Sequence, residues 1–248
     1  MNEKTITQAE QKKLASRHAI DDLVARGLIR SGMKIGLGTG STAMPAVARL
    51  AELIREGKLS GISAVATSFQ TTIACEDLGI PVYSMNAREI GGRLDLAIDG
   101  ADEISPAKCL IKGGGAALLL EKIVAYNSDA FVIVADESKT VADLGTRFAL
   151  PVEVIPEARV SVGLALAALG ATATLRQGVK KAGPVITDNG NLILDCLWQP
   201  AGDGKSPANP EGLEDAINRI VGVVENGFFT KKTPTVYVAR ADGTVERR

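Results

Sequence analysis

The sequence is poor in the residues that metal and nucleophile chemistry most often need. It holds one histidine, His18, and three cysteines, Cys75, Cys109 and Cys196, among 248 residues. A single histidine excludes a His-rich metal site and a Ser-His-Asp triad elsewhere in the chain. The cysteines show no C-x-x-C spacing, which predicts free thiols in a reducing cytosol, used as small core fillers. No uncharged apolar run is long enough to span a bilayer, and the polar opening MNEKTITQAEQKK is unlike a signal peptide. A cytoplasmic protein with no membrane partner is therefore expected. The net charge of -1 does not favour nucleic acid, which is not an expected partner either. Acid–base chemistry is left to carboxylates, lysines and tyrosines.

What is present is an ordinary globular composition, 46% hydrophobic and 23% charged, with room for one large domain or two small ones. The most informative stretch is residues 94–122, LDLAIDGADEISPAKCLIKGGGAALLLEK. Residues 94–98 read as a short buried strand. It stops at Asp99-Gly100-Ala101-Asp102-Glu103, three carboxylates within five residues. A carboxylate past the C-terminal end of a strand in an open α/β sheet points into the crevice where such sheets bind ligands. Lys112 and the glycines Gly113, Gly114 and Gly115 follow. Glycines before a helix let the backbone approach a ligand and aim N–H groups at it, and the lysine adds a positive charge. An apolar helix from about Ala116 carries Glu121 among leucines, isoleucine and valine. Desolvation makes such a carboxylate a stronger base, suited to proton abstraction.

Elsewhere, Thr7-x-x-Glu10 forms a capping box opening a helix to about Ala25. A strand at 33–37 leads into Gly38-Thr39-Gly40-Ser41-Thr42, with Pro45 expected in the first turn of the next helix. Backbone N–H groups, three hydroxyls and a helix N-terminus suit a phosphate. Gly38-x-Gly40-x-x-Ala43 matches the loose dinucleotide pattern, but the next strand, 62–66, ends in Thr67-Ser68 rather than the required acid. A small phosphorylated molecule is therefore favoured over NAD. A helix at 71–78 and a short strand near Val82-Tyr83 follow. The strand at 131–135 ends near Lys139, again on the expected ligand side.

Strands alternating with helices to this point predict an α/β fold with a doubly wound, mostly parallel, Rossmann-like sheet. Beyond Gly145 the order becomes a strand at 152–155, a helix at 159–169 and a strand at 171–175. A hairpin of 185–187 and 192–194 about Asn189-Gly190 and a helix at 210–220 complete a smaller split-βαβ α+β unit. The expected division is 1–146 plus 229–248 for the substrate-binding catalytic domain and 147–228 for the small one. Residues 199–210 read as a flexible surface loop.

GTGST at 38–42, DGADE at 99–103, KGGGAA at 112–117, LLLEK at 118–122, ADESK at 135–139, LPVEVIP at 150–156, RQG at 176–178 and TDNGNLILD at 187–195 together resemble the type A ribose-5-phosphate isomerases. The resemblance covers most of the chain, in order. It implies a cofactor-independent aldose–ketose isomerase of the pentose phosphate pathway, dimeric or tetrameric, with a sheet domain and a ferredoxin-like one. Its general base falls on Glu121. Its substrate-contacting loops fall on Thr39, Gly40, Ser41 and Thr42, on Asp99, Gly100, Ala101 and Asp102, on Lys112 to Gly115, and on Lys139. The sequence departs in its long 199–210 connection and in Thr67-Ser68-Phe69-Gln70, where many members carry a Ser-Asp pair. The rivals are a CoA-transferase-like enzyme or deaminase on a similar scaffold and a sugar-phosphate sensor. The deaminases rely on a histidine missing here, and a sensor has no reason to keep Glu121.

Overall fold

The structure is a computed structural model that describes residues 5–198 and 209–248. In chain order it forms α1 (Gln8–Ala25), β1 (Lys34–Leu37), α2 (Gly40–Arg55), β2 (Ser63–Ala66), α3 (Phe69–Asp77) and β3 (Leu94–Asp99). Then come β4 (Glu103–Ile104), β5 (Leu110–Ile111), α4 (Leu118–Tyr126), β6 (Ser128–Asp136), β7 (Leu150–Val154) and α5 (Arg159–Ala168). The remainder is β8 (Ala171–Leu175), β9 (Leu192–Trp198), α6 (Pro210–Asn218), β10 (Val223–Asn226), β11 (Phe228–Phe229), β12 (Thr235–Ala239) and β13 (Val245–Arg247). The chain divides into two units: one runs to Gly100 and adds Leu120–Ser138 and Lys232–Arg248, the other holds Ala101–Leu119 and Lys139–Lys231. The surface loop expected at 199–210 lies, but for its last two residues, outside the described residues.

The larger unit is a six-stranded sheet in the order β13-β12-β6-β3-β1-β2, parallel except for β13. Its first helix starts where the capping box requires: the Thr7 hydroxyl accepts the Glu10 N–H, and the Glu10 carboxylate accepts the Thr7 N–H at 2.7 Å. Alternation along the strands sorts the two faces. Ile35, Leu37, Leu96, Ile98, Val132 and Val134 join Ile20, Leu23, Val47 and Leu50 of α1 and α2 in one core. The opposite face of β1, at Gly36, is covered by α4 through Val124. Helices on both faces make the sheet doubly wound, as expected.

The smaller unit contains the run β7-α5-β8-β9-α6-β10. Its strands lie in the order β10-β7-β9-β8 and are antiparallel throughout, the ferredoxin-like arrangement. Val152, Val154, Val162, Leu166, Leu194, Ile217 and Phe228 form its core. A three-stranded ribbon, β11-β5-β4, accompanies it. Among the described residues no helix is long and apolar enough to cross a membrane.

Four local expectations change. Pro45 lies inside α2 rather than in its first turn, because the helix already begins at Gly40 behind an extended Thr39. Helix α3 begins at Phe69, two residues before the expected start, because the Ser68 hydroxyl caps it by accepting the Thr71 N–H. Val82 makes one bridge to Ala64 and no strand. Residues 185–187 form no hairpin strand: Ile186 makes a single bridge to Leu192, and the Thr187–Asn191 turn closes with Gly190 at φ 82°. Both edges of β9 are already occupied, by β7 and by β8.

Candidate active site

In the larger unit the loop after β1 is built against the end of β3. Leu37 pairs with Ile98, so Gly38 and Asp99 are neighbours, and the Gly38 N–H reaches the Ile98 carbonyl at 2.9 Å. A β-carbon on Gly38 would fall 1.9 Å from Asp99 Oδ1, so only glycine fits there. Asp99 is the last residue of its strand and is buried. Its Oδ1 accepts the N–H groups of Gly100 at 2.7 Å and Thr39 at 3.2 Å. Gly100 in turn faces Thr42, whose Cβ would lie 3.3 Å from an added methyl. Asp99, Gly100, Thr39 and Thr42 are thus brought together.

The hydroxyl of Thr39 does not cap α2. It joins Thr67 at 2.7 Å, Ser68 at 2.8 Å and Thr71 at 3.3 Å, while the Thr71 hydroxyl donates to the Gly38 carbonyl. The Gly40 N–H is taken by Gln70 Oε1 at 3.1 Å. The residues after β2 therefore support the loop with hydroxyls and an amide where the dinucleotide pattern needs an acid. Across the loop, Lys12 Nζ donates to Ser41 Oγ at 3.2 Å, and Ser16 Oγ donates to the Thr42 carbonyl at 2.6 Å. An ammonium beside the open first turn of a helix is an anion-favouring arrangement.

Glu121 occupies the first turn of α4 and is 5% exposed. Its helix also buries Leu118, Val124 and Ala125. Lys122 is also buried, its ammonium 5.8 Å from the Tyr126 ring centroid. Lys139 ends a 3₁₀ turn, Glu137–Lys139, and is half-buried.

In the smaller unit the glycine loop is pinned along its length. The Lys112 N–H donates to the Gly227 carbonyl at 2.9 Å, and the buried ammonium lies 5.5 Å from the Phe229 ring centroid. Gly113 has φ 107°, and a β-carbon there would meet Leu118 Cδ2 at 2.8 Å. The Gly114 N–H donates to Asp102 Oδ2 at 2.8 Å. Asp102, Lys112 and the glycines are thus assembled together, with Ala101 leading into Asp102.

Glu103, the third carboxylate of the DGADE run, has a different job. It is 1% exposed and accepts the N–H groups of Gly145, Arg147 and Phe148, tying down the segment before β7. His18 stacks edge-on to Tyr237 at 6.2 Å, a packing role. Cys75 and Cys196 are buried, and burial pushes their thiols up to about 11 and about 12, so neither is a nucleophile at neutral pH. The site reading missed Gln70 and Arg176. Gln70 left no signal beyond its place after β2. Arg176 stood in the RQG motif, but its partners are remote in sequence.

Residues 63–243 match the family model of ribose 5-phosphate isomerase A (phosphoriboisomerase A). A curated relative, ribose-5-phosphate isomerase A of Treponema denticola, is 60% identical over 96% of this chain and 98% of its own length. The protein of the same name from a Synechococcus strain is 48% identical over 88% and 90%. Among solved structures, a D-ribose-5-phosphate isomerase in complex with phospho-erythronic acid superposes with a TM-score of 0.88 at 38% identity, covering 98% of this chain and 99% of that one. Ribose 5-phosphate isomerase A of Methanocaldococcus jannaschii superposes with a TM-score of 0.85 at 39% identity, covering 98% and 100%. Matched along nearly its whole length in sequence and in fold, this chain belongs to the ribose 5-phosphate isomerase A family.

Proposed function

We propose that the chain interconverts D-ribose 5-phosphate and D-ribulose 5-phosphate by proton transfer through an enediolate, with Glu121 as the base. One observation carries the assignment of the base: Glu121 is a buried carboxylate in the first turn of a largely apolar helix that follows the glycine loop. Burial shields it from bulk water, and the helix fixes its direction. On the open-chain aldose the Glu121 carboxylate takes the proton from C2. The C2–H electrons form the C1=C2 bond, and the aldehyde oxygen becomes the oxyanion. Lys112 and the amides of Gly113 and Gly115 neutralise that charge, the Gly114 amide being engaged by Asp102; each such donor is commonly worth about 3 kcal/mol. The Glu121 proton returns to C1, and the O2 hydroxyl proton moves to O1, leaving the ketone at C2. Asp99 serves ring opening and that O2-to-O1 transfer, while Asp102 holds sugar hydroxyls.

Thr39, Gly40, Ser41 and Thr42 take the phosphate, a reading supported by Lys12 at Ser41 and by the first turn of α2. Lys139 contacts the other part of the substrate, as do Gly100 and Ala101 through their backbone. The reaction belongs to the non-oxidative branch of the pentose phosphate pathway. A cytoplasmic homodimer or homotetramer assembled through the smaller unit completes the reading, and no metal or coenzyme takes part.

A coupled assay with ribose 5-phosphate tests the activity. Glu121→Gln tests the base: kcat should fall by about 10²- to 10⁴-fold with the fold intact. Near-normal turnover would remove Glu121 from its role. Turnover in deuterated water should place solvent label at the migrating position.

A further inference from the structure

The glycine loop has no side chains of its own to hold its peptide planes, so something else must set them. Arg176 follows β8, and its backbone is fixed on both sides: its N–H donates to the Ile193 carbonyl, and its carbonyl accepts the Val185 N–H, each at 2.9 Å. Its guanidinium is divided between two tasks. Nε donates to Asp195 Oδ2 at 2.9 Å, and Nη2 donates to Asp195 Oδ1. Nη1 donates to the carbonyls of Gly113 at 2.9 Å and Gly114 at 3.1 Å. Asp195 stands on β9 opposite Thr174 of β8, so the carboxylate that aims the fork is itself part of the sheet.

The consequence follows from peptide geometry. In a trans peptide the C=O of one residue and the N–H of the next point in opposite directions. With the Gly113 and Gly114 carbonyls drawn to Arg176, the N–H groups of Gly114 and Gly115 must face away from it. The first is received by Asp102 Oδ2 at 2.8 Å. The second belongs to an exposed residue, and among the described residues no acceptor meets it. The turn itself is closed by the Ala116 N–H, which donates to the Gly113 carbonyl at 3.0 Å.

We infer that Arg176, aimed by Asp195, is a positioning residue of the isomerase: it turns the Gly113 and Gly114 carbonyls aside and so presents the Gly115 N–H, and Asp102 through the Gly114 N–H, to the substrate. This rests on the reading that the 112–115 loop meets the substrate. A lysine cannot replace it, because an ammonium lacks the planar fork that serves a carboxylate and two carbonyls at once.

Steady-state turnover of ribose 5-phosphate decides the matter, measured for Arg176→Ala, Arg176→Lys, Asp195→Asn and Lys112→Met beside thermal unfolding of each. Arg176→Ala should lower kcat by about 10- to 100-fold, the scale of a small misplacement of a catalytic donor. KM should move much less, and added millimolar guanidinium should restore part of the loss. Arg176→Lys should resemble Arg176→Ala rather than the parent. An unchanged kcat in Arg176→Ala, or a loss that follows the unfolded fraction and is not rescued, overturns the inference. Should Arg176→Ala not fold, Asp195→Asn decides: a several-fold lower kcat with an unshifted melting temperature supports the inference, and a normal kcat overturns it. Lys112→Met separates the two levels. A large loss there beside a normal Arg176→Ala sinks the role of Arg176 and leaves the loop reading standing. Normal turnover in both sinks the loop reading itself.

Discussion

Gly36→Ala should damage the enzyme through a helix it does not belong to. Gly36 lies in β1 under α4, and a methyl added there would stand 2.2 Å from Val124 Cγ1, 3.2 Å from Leu94 Cδ1 and 3.3 Å from Ala97 Cβ. Non-bonded carbons settle at about 3.5–4.0 Å, so Val124 would have to retreat by about 1.5 Å. It cannot do so by rotation, because a helical valine is confined to essentially one χ1 rotamer, and Val124 is 3% exposed. The backbone of α4 must shift instead. Glu121 lies one turn earlier on the same side of α4 and is carried along. Overpacking of this kind costs about 1–3 kcal/mol, offset in part by the roughly 0.5–1 kcal/mol that alanine gains over glycine in a strand. Displacement of Glu121, the base proposed above, should lower kcat by about 10- to 100-fold. Val124→Ala removes the clashing methyl, so the double variant should recover both stability and turnover, with a coupling of at least about 1 kcal/mol in a urea-unfolding cycle. Additive single effects, or a Gly36→Ala enzyme with full turnover, would refute the reasoning.

Two further substitutions separate structural carboxylates from working ones. Glu103→Gln replaces an acceptor of three backbone N–H groups with an amide that must turn its own NH₂ toward one of them. Urea unfolding should show a loss of about 1–3 kcal/mol while kcat per folded enzyme stays near the parent value. Tyr237→Phe removes the hydroxyl that donates to Asp22 Oδ2 at 2.6 Å and that, ahead of Arg26 and Arg247, holds the Asp22 carboxyl below its ordinary range. The cost should be about 1.5 kcal/mol at neutral pH, since the Asp22 side chain is 22% exposed. Because the folded protein holds this proton less tightly than the unfolded chain, that difference should be full above about pH 4 and fade as pH falls through the lowered Asp22 value. At the alkaline end, burial and Asp22 push the Tyr237 phenol up to about 12. Parent stability should therefore decline from about pH 10 upward, and Tyr237→Phe should not show that decline.

Local signals carried far in this chain. The capping box at Thr7 and Glu10 fixes backbone by hydrogen bonds three residues apart, so its sequence pattern is sufficient; GTGST and the run 94–122 are legible by their glycines, although distant residues hold them in place. Gly38 is legible as a tight turn, although the reason it must be glycine, the carboxylate of Asp99 beside it, is a contact across sixty-one residues. The ribbon of β4, β5 and β11 was invisible because two-residue strands carry no periodicity. The strand expected at 185–187 had alternation and an Asn-Gly turn, but β9 had better partners on both sides. Glu103 looked like its neighbours Asp99 and Asp102, because composition does not reveal which carboxylate will meet a row of amides. Arg176 escaped for the same reason: its value lies in reaching Gly113 and Gly114, which only the folded chain brings near.

Strand β12 lies between β6 and β13 in the large sheet, yet residues 137–234 come between it and β6 along the chain. A ribosome delivers about 5–20 residues per second, so β6 emerges about 5–20 seconds before the strand that will cover it. During that interval β7 to β10 are all delivered and can pair among themselves. The long flank of β6 meanwhile stays bare, open to a chaperone or to another nascent chain that offers a strand. For this enzyme, then, the large sheet stays unfinished until β12 is delivered, and that strand closes the flank of β6.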